Sequence, residues 1–235
     1  MDFASQWSAF WRVFYTNRGY ERVLGEGLKN TLVIAISGLL IGIVIGTLIA
    51  AIKVTPKYRV LPRILNAICN VYVAFFRGTP MVVQLLLAYY VIFPLMGVTL
   101  GSLNTCILIF GLNSGAYVSE IMRAGIQSVD VGQMEAGRAL GLGFFSTMMK
   151  IVVPQAVKNI LPTLGNEFIA LLKDTSVVSF VAAVDLYKVF TEIGNVNYEY
   201  LAPYLMMALI YMAMILLITL LFKLLEKQLR RSERR

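Results

Sequence analysis

Long uncharged stretches separated by short charged clusters set the pattern of this chain. Thr31 to Ile52, Gly78 to Ser119 and Pro203 to Phe222 carry no charged residue at all. A helix needs about 20 mostly apolar residues to cross the hydrocarbon of a bilayer, so the first and last stretches predict one span each, at 31–52 and 203–222. The middle stretch is too long for one helix, and Met96-Gly97-Val98-Thr99-Leu100-Gly101-Ser102 offers a turn inside it. It therefore predicts two spans, at 65–95 and 103–122. A further segment, 161–184, is apolar overall but carries Glu167, Lys173 and Asp174.

Charge decides whether that segment crosses. The connection after the first span holds Lys53, Lys57, Arg59 and Arg63, and the tail holds Lys223, Lys227, Arg230, Arg231, Arg234 and Arg235. Lys and Arg favour the cytoplasmic side. With the N-terminus outside and both basic segments inside, the number of spans is odd, so 161–184 is the fifth, at least as a broken helix. The expectation is an all-α integral membrane protein with five transmembrane helices, its N-terminus outside and its C-terminus inside.

Composition agrees. Of 235 residues 58% are apolar and 14% charged, against roughly 25% charged in soluble domains; a soluble globule and a disordered chain are both excluded. The net charge of +8 follows the expected topology: thirteen Lys/Arg against four Asp/Glu in cytoplasmic segments, five against six outside, and three against three within the membrane. The basic excess thus needs no nucleic acid. Without a histidine there is no Ser-His or Cys-His nucleophile and no His-ligated metal. Cys69 and Cys106 stand in apolar surroundings and read as buried thiols.

Residues 1–27 form a separate N-terminal element. Phe3, Trp7, Phe10 and Phe14 recur at helical spacing, and the stripe fits either a helix lying in the outer interface or one packed on the bundle. Residues 28–226 are the transmembrane domain and 227–235 a basic cytoplasmic tail. Between the third and fourth spans, residues 124–160 make a long cytoplasmic loop with internal order. Asp130 can cap a short helix over Gln133 to Leu140, Gly141 and Gly143 permit a reversal, and a second helix from about Phe145 is expected to end before Pro154. A rigid helix-turn-helix of this kind suits docking to another protein.

This loop carries a resemblance. Glu135-Ala136-Gly137, three residues, Gly141, nine residues, Ile151, one residue, then Val153-Pro154 resembles the EAA loop of permease subunits of binding-protein-dependent ABC importers, EAA-x3-G-x9-I-x-LP. Gly137 stands for the second alanine and Val153 for leucine. Phe75-Phe76-Arg77-Gly78-Thr79-Pro80 with Gln84, Ser114 to Ile126, and Leu164-Gly165-Asn166-Glu167-Phe168 with Lys173-Asp174-Thr175-Ser176 resemble the polar amino-acid subfamily, the histidine, glutamine, arginine and opine permeases. The resemblance spans Gly27 to Glu226 and implies a type I importer permease fold. It also implies a coupling role for Gln133, Glu135, Ala136, Gly137, Arg138, Ala139, Leu140, Gly141, Ile151 and Pro154 on a separate ATPase subunit. The small residues at 136, 137 and 139 would let that partner approach closely, and Glu135 and Arg138 can pair with each other or with it. The chain has no G-x-x-x-x-G-K-[ST] segment, so no P-loop of its own.

Ionisable residues inside spans cost about 2.5–3.5 kcal/mol each at the helix centre and mark pairs or water-lined paths. Glu120 and Arg123, at i,i+3, fit a structural ion pair or a gate. Glu167 and Asp174 stand two turns apart on one helical face, an acidic line suited to an ammonium or guanidinium; the other reading is an interhelical salt bridge with Lys173 or Arg77. Arg77 opens the polar break at Pro80 and is a candidate partner for a carboxylate, the substrate's or Glu167's. Thr79, Gln84 and Thr175 complete the candidate substrate path.

The resemblance implies a transport subunit and no enzyme, taking up a polar or basic L-amino acid by alternating access, with arginine, lysine or histidine favoured over glutamine. Its implied partners are two ATPase subunits that bind ATP and Mg, a second permease (identical or homologous), an extracytoplasmic amino-acid-binding protein and membrane lipid, with no cofactor and no metal in this chain. The competing reading is a secondary transporter or channel without an ATPase.

Overall fold

The computed structural model describes residues 3–16, 18–56 and 58–231. Of the expected basic segments, Lys57, Arg234 and Arg235 lie outside the described residues, as do the side chains of Phe3, Arg230 and Arg231. The described residues are helical in every regular element.

Helix α1 (Phe3–Thr16) buries Phe10 and Val13 against Val23, Leu186, Val189, Phe190 and Ile193, with Trp7, Trp11 and Phe14 packed around them. Trp7, Phe10 and Phe14 of its aromatic stripe pack on the bundle, which corrects the reading of a helix lying in the outer interface and agrees with the other one. Helix α2 (Gly19–Val54), with a π-turn at Val23–Leu28, starts a dozen residues before the expected first span. After a short connection come α3 (Val60–Gly78) and α4 (Met81–Leu95), which replace the single span expected over 65–95. Thr79 and Pro80 between them are extended. Helix α5 (Ser102–Gln127) follows the turn at Gly97, whose φ of 68° needs glycine.

Helix α6 (Val131–Ala139) is the short helix expected in the loop. Asp130 caps it, accepting from the Gly132 amide at 2.6 Å, and Gly141 reverses the chain at φ 83°. Pro154, however, does not end the next helix. A helical turn at Phe144–Thr147 passes through a π-turn at Met148–Val152 into α7 (Val153–Asp174). A proline clashes with the carbonyl four residues back, here that of Lys150, and the wider π-turn that holds Lys150 removes the clash. Beyond α7 the chain tightens to a 3-10 helix, Thr175–Val181, turns at Ala182 (φ 59°), and enters α8 (Leu186–Asn197). Asp185 caps α8, accepting from the Tyr187 and Lys188 amides at 3.1 and 2.9 Å. The last helix is α9 (Leu201–Arg231).

Four helices among the described residues are long and apolar enough to cross a membrane: Gly19–Val54, Val60–Gly78, Ser102–Gln127 and Leu201–Gln228. Helix α7 is 22 residues long but more polar. The central core joins Ile34 of α2, Leu85 of α4, Phe110 of α5, Leu171 and Leu172 of α7, and Val178 and Val181 of the 3-10 helix. Helices α2 and α5 lie in close contact because glycines remove side chains from both faces. A Cβ on Gly42 would stand 2.5 Å from Ser114 Oγ, and one on Gly46 2.7 Å from Val118; Gly111 and Gly115 do the same for Ile41 and Ile45. Such small-residue contacts are how helices associate where lipid supplies no hydrophobic drive. The lipid-like exterior is carried by Ile64, Ile68 and Val71 of α3 and by Leu209, Leu216, Leu220 and Leu224 of α9, all exposed. Cys69 and Cys106 are buried free thiols.

Candidate functional site

The acidic face begins on α7. Glu167 is half-buried and accepts a hydrogen bond from Ser114 Oγ of α5 at 3.0 Å. Asp174, at the end of the same helix, is exposed, and the two carboxylates lie within electrostatic range of one another. Lys173 neighbours Asp174 in sequence, yet no ion pair joins Lys173 or Arg77 to either carboxylate among the described residues. Arg77, in the last turn of α3, is exposed; its guanidinium lies over the Tyr117 ring of α5, 5.2 Å from the centroid, and within electrostatic range of Glu167. A cation at a helix C-terminus is favourable in itself, and the aromatic face adds to it.

The break before Pro80 is closed by side chains. Proline leaves the carbonyl four residues back, that of Phe76, without its helical donor. Gln84 Nε2 donates to it at 2.9 Å and Asn113 Nδ2 at 3.1 Å. Gln84 Nε2 also reaches the Thr79 carbonyl and Thr79 Oγ1, at 3.0 and 2.8 Å, while its Oε1 accepts from Asn113 at 3.0 Å. Thr79 Oγ1 in turn donates to the Phe75 carbonyl at 2.8 Å. Gln84 is 4% exposed, so its amide is engaged within the chain. Thr175 is also buried, donating to the Leu172 carbonyl at 2.7 Å at the start of the 3-10 helix. Of the six residues expected on the substrate path, the structure leaves Asp174 and Arg77 exposed and Glu167 and Thr79 half-buried, and places Gln84 and Thr175 inside.

Glu120 and Arg123 pair as their spacing suggested, Arg123 Nη2 to Glu120 Oε2 at 2.7 Å. A third member is added by α2: Lys53 Nζ donates to Glu120 Oε1 at 2.6 Å, with the lysine side chain 8% exposed. Since α2 and α5 already touch along their glycines, the cluster ties two helices that are one packed unit, and a gate would need two that part.

On α6, Glu135, Ala136, Arg138, Ala139 and Gln133 are exposed, and Leu140 is 82% exposed. Glu135 and Arg138 form no ion pair with each other among the described residues. Gly137 faces the other way. It is buried, and a Cβ there would meet Thr147 Cγ2 at 2.5 Å and Ile151 Cδ1 at 3.0 Å. The small-residue face expected at 136, 137 and 139 is therefore divided: Gly137 seats α6 on its own chain, over Thr147 and Ile151, while the two alanines point outward. Gln133 Oε1 accepts from Gln155 Nε2 at 3.2 Å, and Pro154 lies in the first turn of α7.

Lys53, Asn113, Ser114 and Tyr117 were the partners that sequence reasoning left unassigned. Asn113-Ser114 stands as a polar pair in the middle of an otherwise apolar span, which was the available signal.

Residues 22–231 match the family described as the binding-protein-dependent transport system inner membrane component, and the chain belongs to that family. It is 36% identical over 217 residues to a Rickettsia typhi chain whose name carries the words "glutamine transport system permease protein", covering 92% of this chain and 97% of the relative. It is 35% identical over 208 residues to the arginine transport system permease protein ArtQ of Bacillus subtilis, covering 88% and 93%. Among solved structures, one described as the crystal structure of an amino acid ABC transporter with histidines superposes with a TM-score of 0.82 at 37% identity, covering 92% of this chain and 98% of that one. The protein is thus an ABC importer permease of the bacterial inner membrane, a transport subunit and no enzyme. ATP hydrolysis belongs to a separate subunit, and transport in this family depends on a binding protein.

Proposed function

We propose that this permease carries a polar or basic L-amino acid inward by alternating access, with arginine, lysine or histidine favoured over glutamine. The names of its relatives, glutamine and arginine permeases, and the amino-acid transporter whose fold it shares support the substrate class. The observation that supports the finer reading is the Glu167 carboxylate, oriented by Ser114, with Asp174 two turns further along α7 and neither consumed by an ion pair among the described residues. In this reading the carboxylates take the substrate's cationic groups and Arg77 its carboxylate. The chain crosses the membrane five times, α3 and α4 together making the second span and α7 with its 3-10 extension the fourth, N-terminus out and C-terminus in. Helix α6 then faces the cytoplasm, where its exposed Glu135, Arg138 and Leu140 dock on an ATPase subunit. Two permeases, identical or homologous, and two ATPases complete the unit, with ATP and Mg bound on the latter.

The test is uptake by the reconstituted permease, ATPase and binding protein. Glu167→Gln and Asp174→Asn should each cut uptake of labelled arginine or lysine by about 10–100-fold, the worth of a charge-assisted hydrogen bond, with complex assembly and basal ATPase activity unchanged. Normal uptake of both amino acids by both variants would overturn the acidic-face reading. Single cysteines at Met96 and Leu140, labelled from opposite sides of sealed vesicles, check the orientation.

A further inference from the structure

Two opposite charges, Glu167 and Arg77, come from different helices, and each is held by a residue of a third. Ser114 donates to Glu167 at 3.0 Å, and the Tyr117 ring lies under Arg77 at 5.2 Å. Ser114 and Tyr117 are three residues apart on α5, so they stand side by side on one face of it, about 5–6 Å apart at Cβ. Ser114 is fully buried, and its hydroxyl occupies the space that Gly42 leaves open on α2, which leaves it little freedom. Tyr117 is partly exposed beside the exposed Arg77.

An unheld guanidinium and carboxylate within electrostatic range of one another tend to collapse into an ion pair, which would leave nothing for a zwitterion to bind. We propose that Ser114 and Tyr117 are positioning residues that keep Glu167 and Arg77 apart as a two-pole receptor for the ammonium and carboxylate of a free amino acid. Tyr117 holds Arg77 by its ring face, which an incoming carboxylate outcompetes because a charge-assisted, bidentate contact is stronger. Ser114 satisfies one lone pair of Glu167 and aims the rest at the cation. This inference rests on the substrate path proposed above, and it adds a selectivity: the site distinguishes an amino acid from the same molecule lacking its carboxylate charge.

The experiment is equilibrium binding to the purified permease–ATPase complex without binding protein. The probes are labelled L-arginine, L-lysine, L-histidine and L-glutamine, each also competed by its α-carboxamide. Tyr117→Leu should weaken the amino acid bound by the wild type by roughly fivefold or more and its carboxamide by less, while Tyr117→Phe, which keeps the ring, stays within about twofold of wild type. Ser114→Ala should weaken acid and carboxamide alike. Complex assembly, followed by gel filtration, should be the same for all three. Equal affinities for acid and carboxamide in every variant, or equal loss in Tyr117→Leu and Tyr117→Phe, would overturn the inference. Glu167→Gln and Arg77→Gln run beside them separate the two proposals. If these lose binding while Ser114→Ala and Tyr117→Leu do not, only the positioning roles fail; if they bind normally, or the wild type binds none of the four amino acids, the substrate path fails and the inference with it.

Discussion

Glu120 shows how a single residue can matter more than its partners. Lys53 on α2 has its side chain 8% exposed and Glu120 21%, whereas Arg123 is 35% exposed and also reaches Gln127 at 2.6 Å. Removing Glu120 strands a buried ammonium, and breaking a buried pair from one side typically costs about 3–5 kcal/mol. Removing Lys53 leaves Glu120 with Arg123. We therefore expect Glu120→Gln to lower the unfolding temperature of the detergent-solubilised protein markedly, and Lys53→Met to lower it much less. A larger drop for Lys53→Met would mean that Lys53, not Arg123, holds the carboxylate. The same asymmetry applies at Glu167, whose one hydrogen-bond donor among the described residues is Ser114; the unspent capacity there is what the proposed substrate contact uses.

At the scale of elements, the helices themselves were legible because their signals are local. Charge-free runs gave the long helices, Asp130 gave the start of α6, and Gly141 gave the reversal after it. What the sequence could not reveal was rotation about a helix axis, which depends on contacts far along the chain. Gly137 points at Thr147 instead of outward, and Gln84 turns inward to cap the carbonyl of Phe76. Pro154 misled for another reason: a π-turn absorbs its clash, and that turn has no sequence signature of its own. The contact between α2 and α5 was hidden too, since Gly42 and Gly46 read as ordinary residues of an apolar run. Its tightness makes a prediction. Gly42→Leu must push against Ser114 and the α5 backbone at 2.5–3.1 Å, so it should destabilise the protein by at least the ~1–3 kcal/mol usual for overpacking. Gly25→Leu, with open space around it, should not; thermal unfolding of both in detergent decides.

For the whole molecule, the exposed surfaces divide by chemistry. The apolar sides of α3 and α9 suit lipid, while α6 offers a small mixed patch: the acid Glu135, the base Arg138 and the apolar Leu140, all exposed. Glu135 has no ion-pair partner among the described residues, so reversing its charge should leave this chain's fold intact. Glu135→Lys is expected to release the ATPase on co-purification, or to leave ATP hydrolysis running without uptake, while its unfolding temperature stays within a degree or two of the unmodified chain. Unimpaired assembly and uptake in that variant would remove α6 from coupling.

The absence of a stop at Pro154 has a mechanical meaning. From Phe144, whose turn carries the Thr147 seat of Gly137, helix continues without interruption to Asp174. At 1.5 Å per residue that is a rod about 45 Å long, with Pro162 inside it, α6 resting against one end and the two carboxylates on its far half. A tilt of only ~5° about one end of such a rod carries the other sideways by ~4 Å, more than the length of a hydrogen bond. In the coupling role proposed for α6, a push there would reach Glu167 as leverage along one helix, and the stroke at the carboxylates would be set by that helix's length and by its stiffness at Pro162.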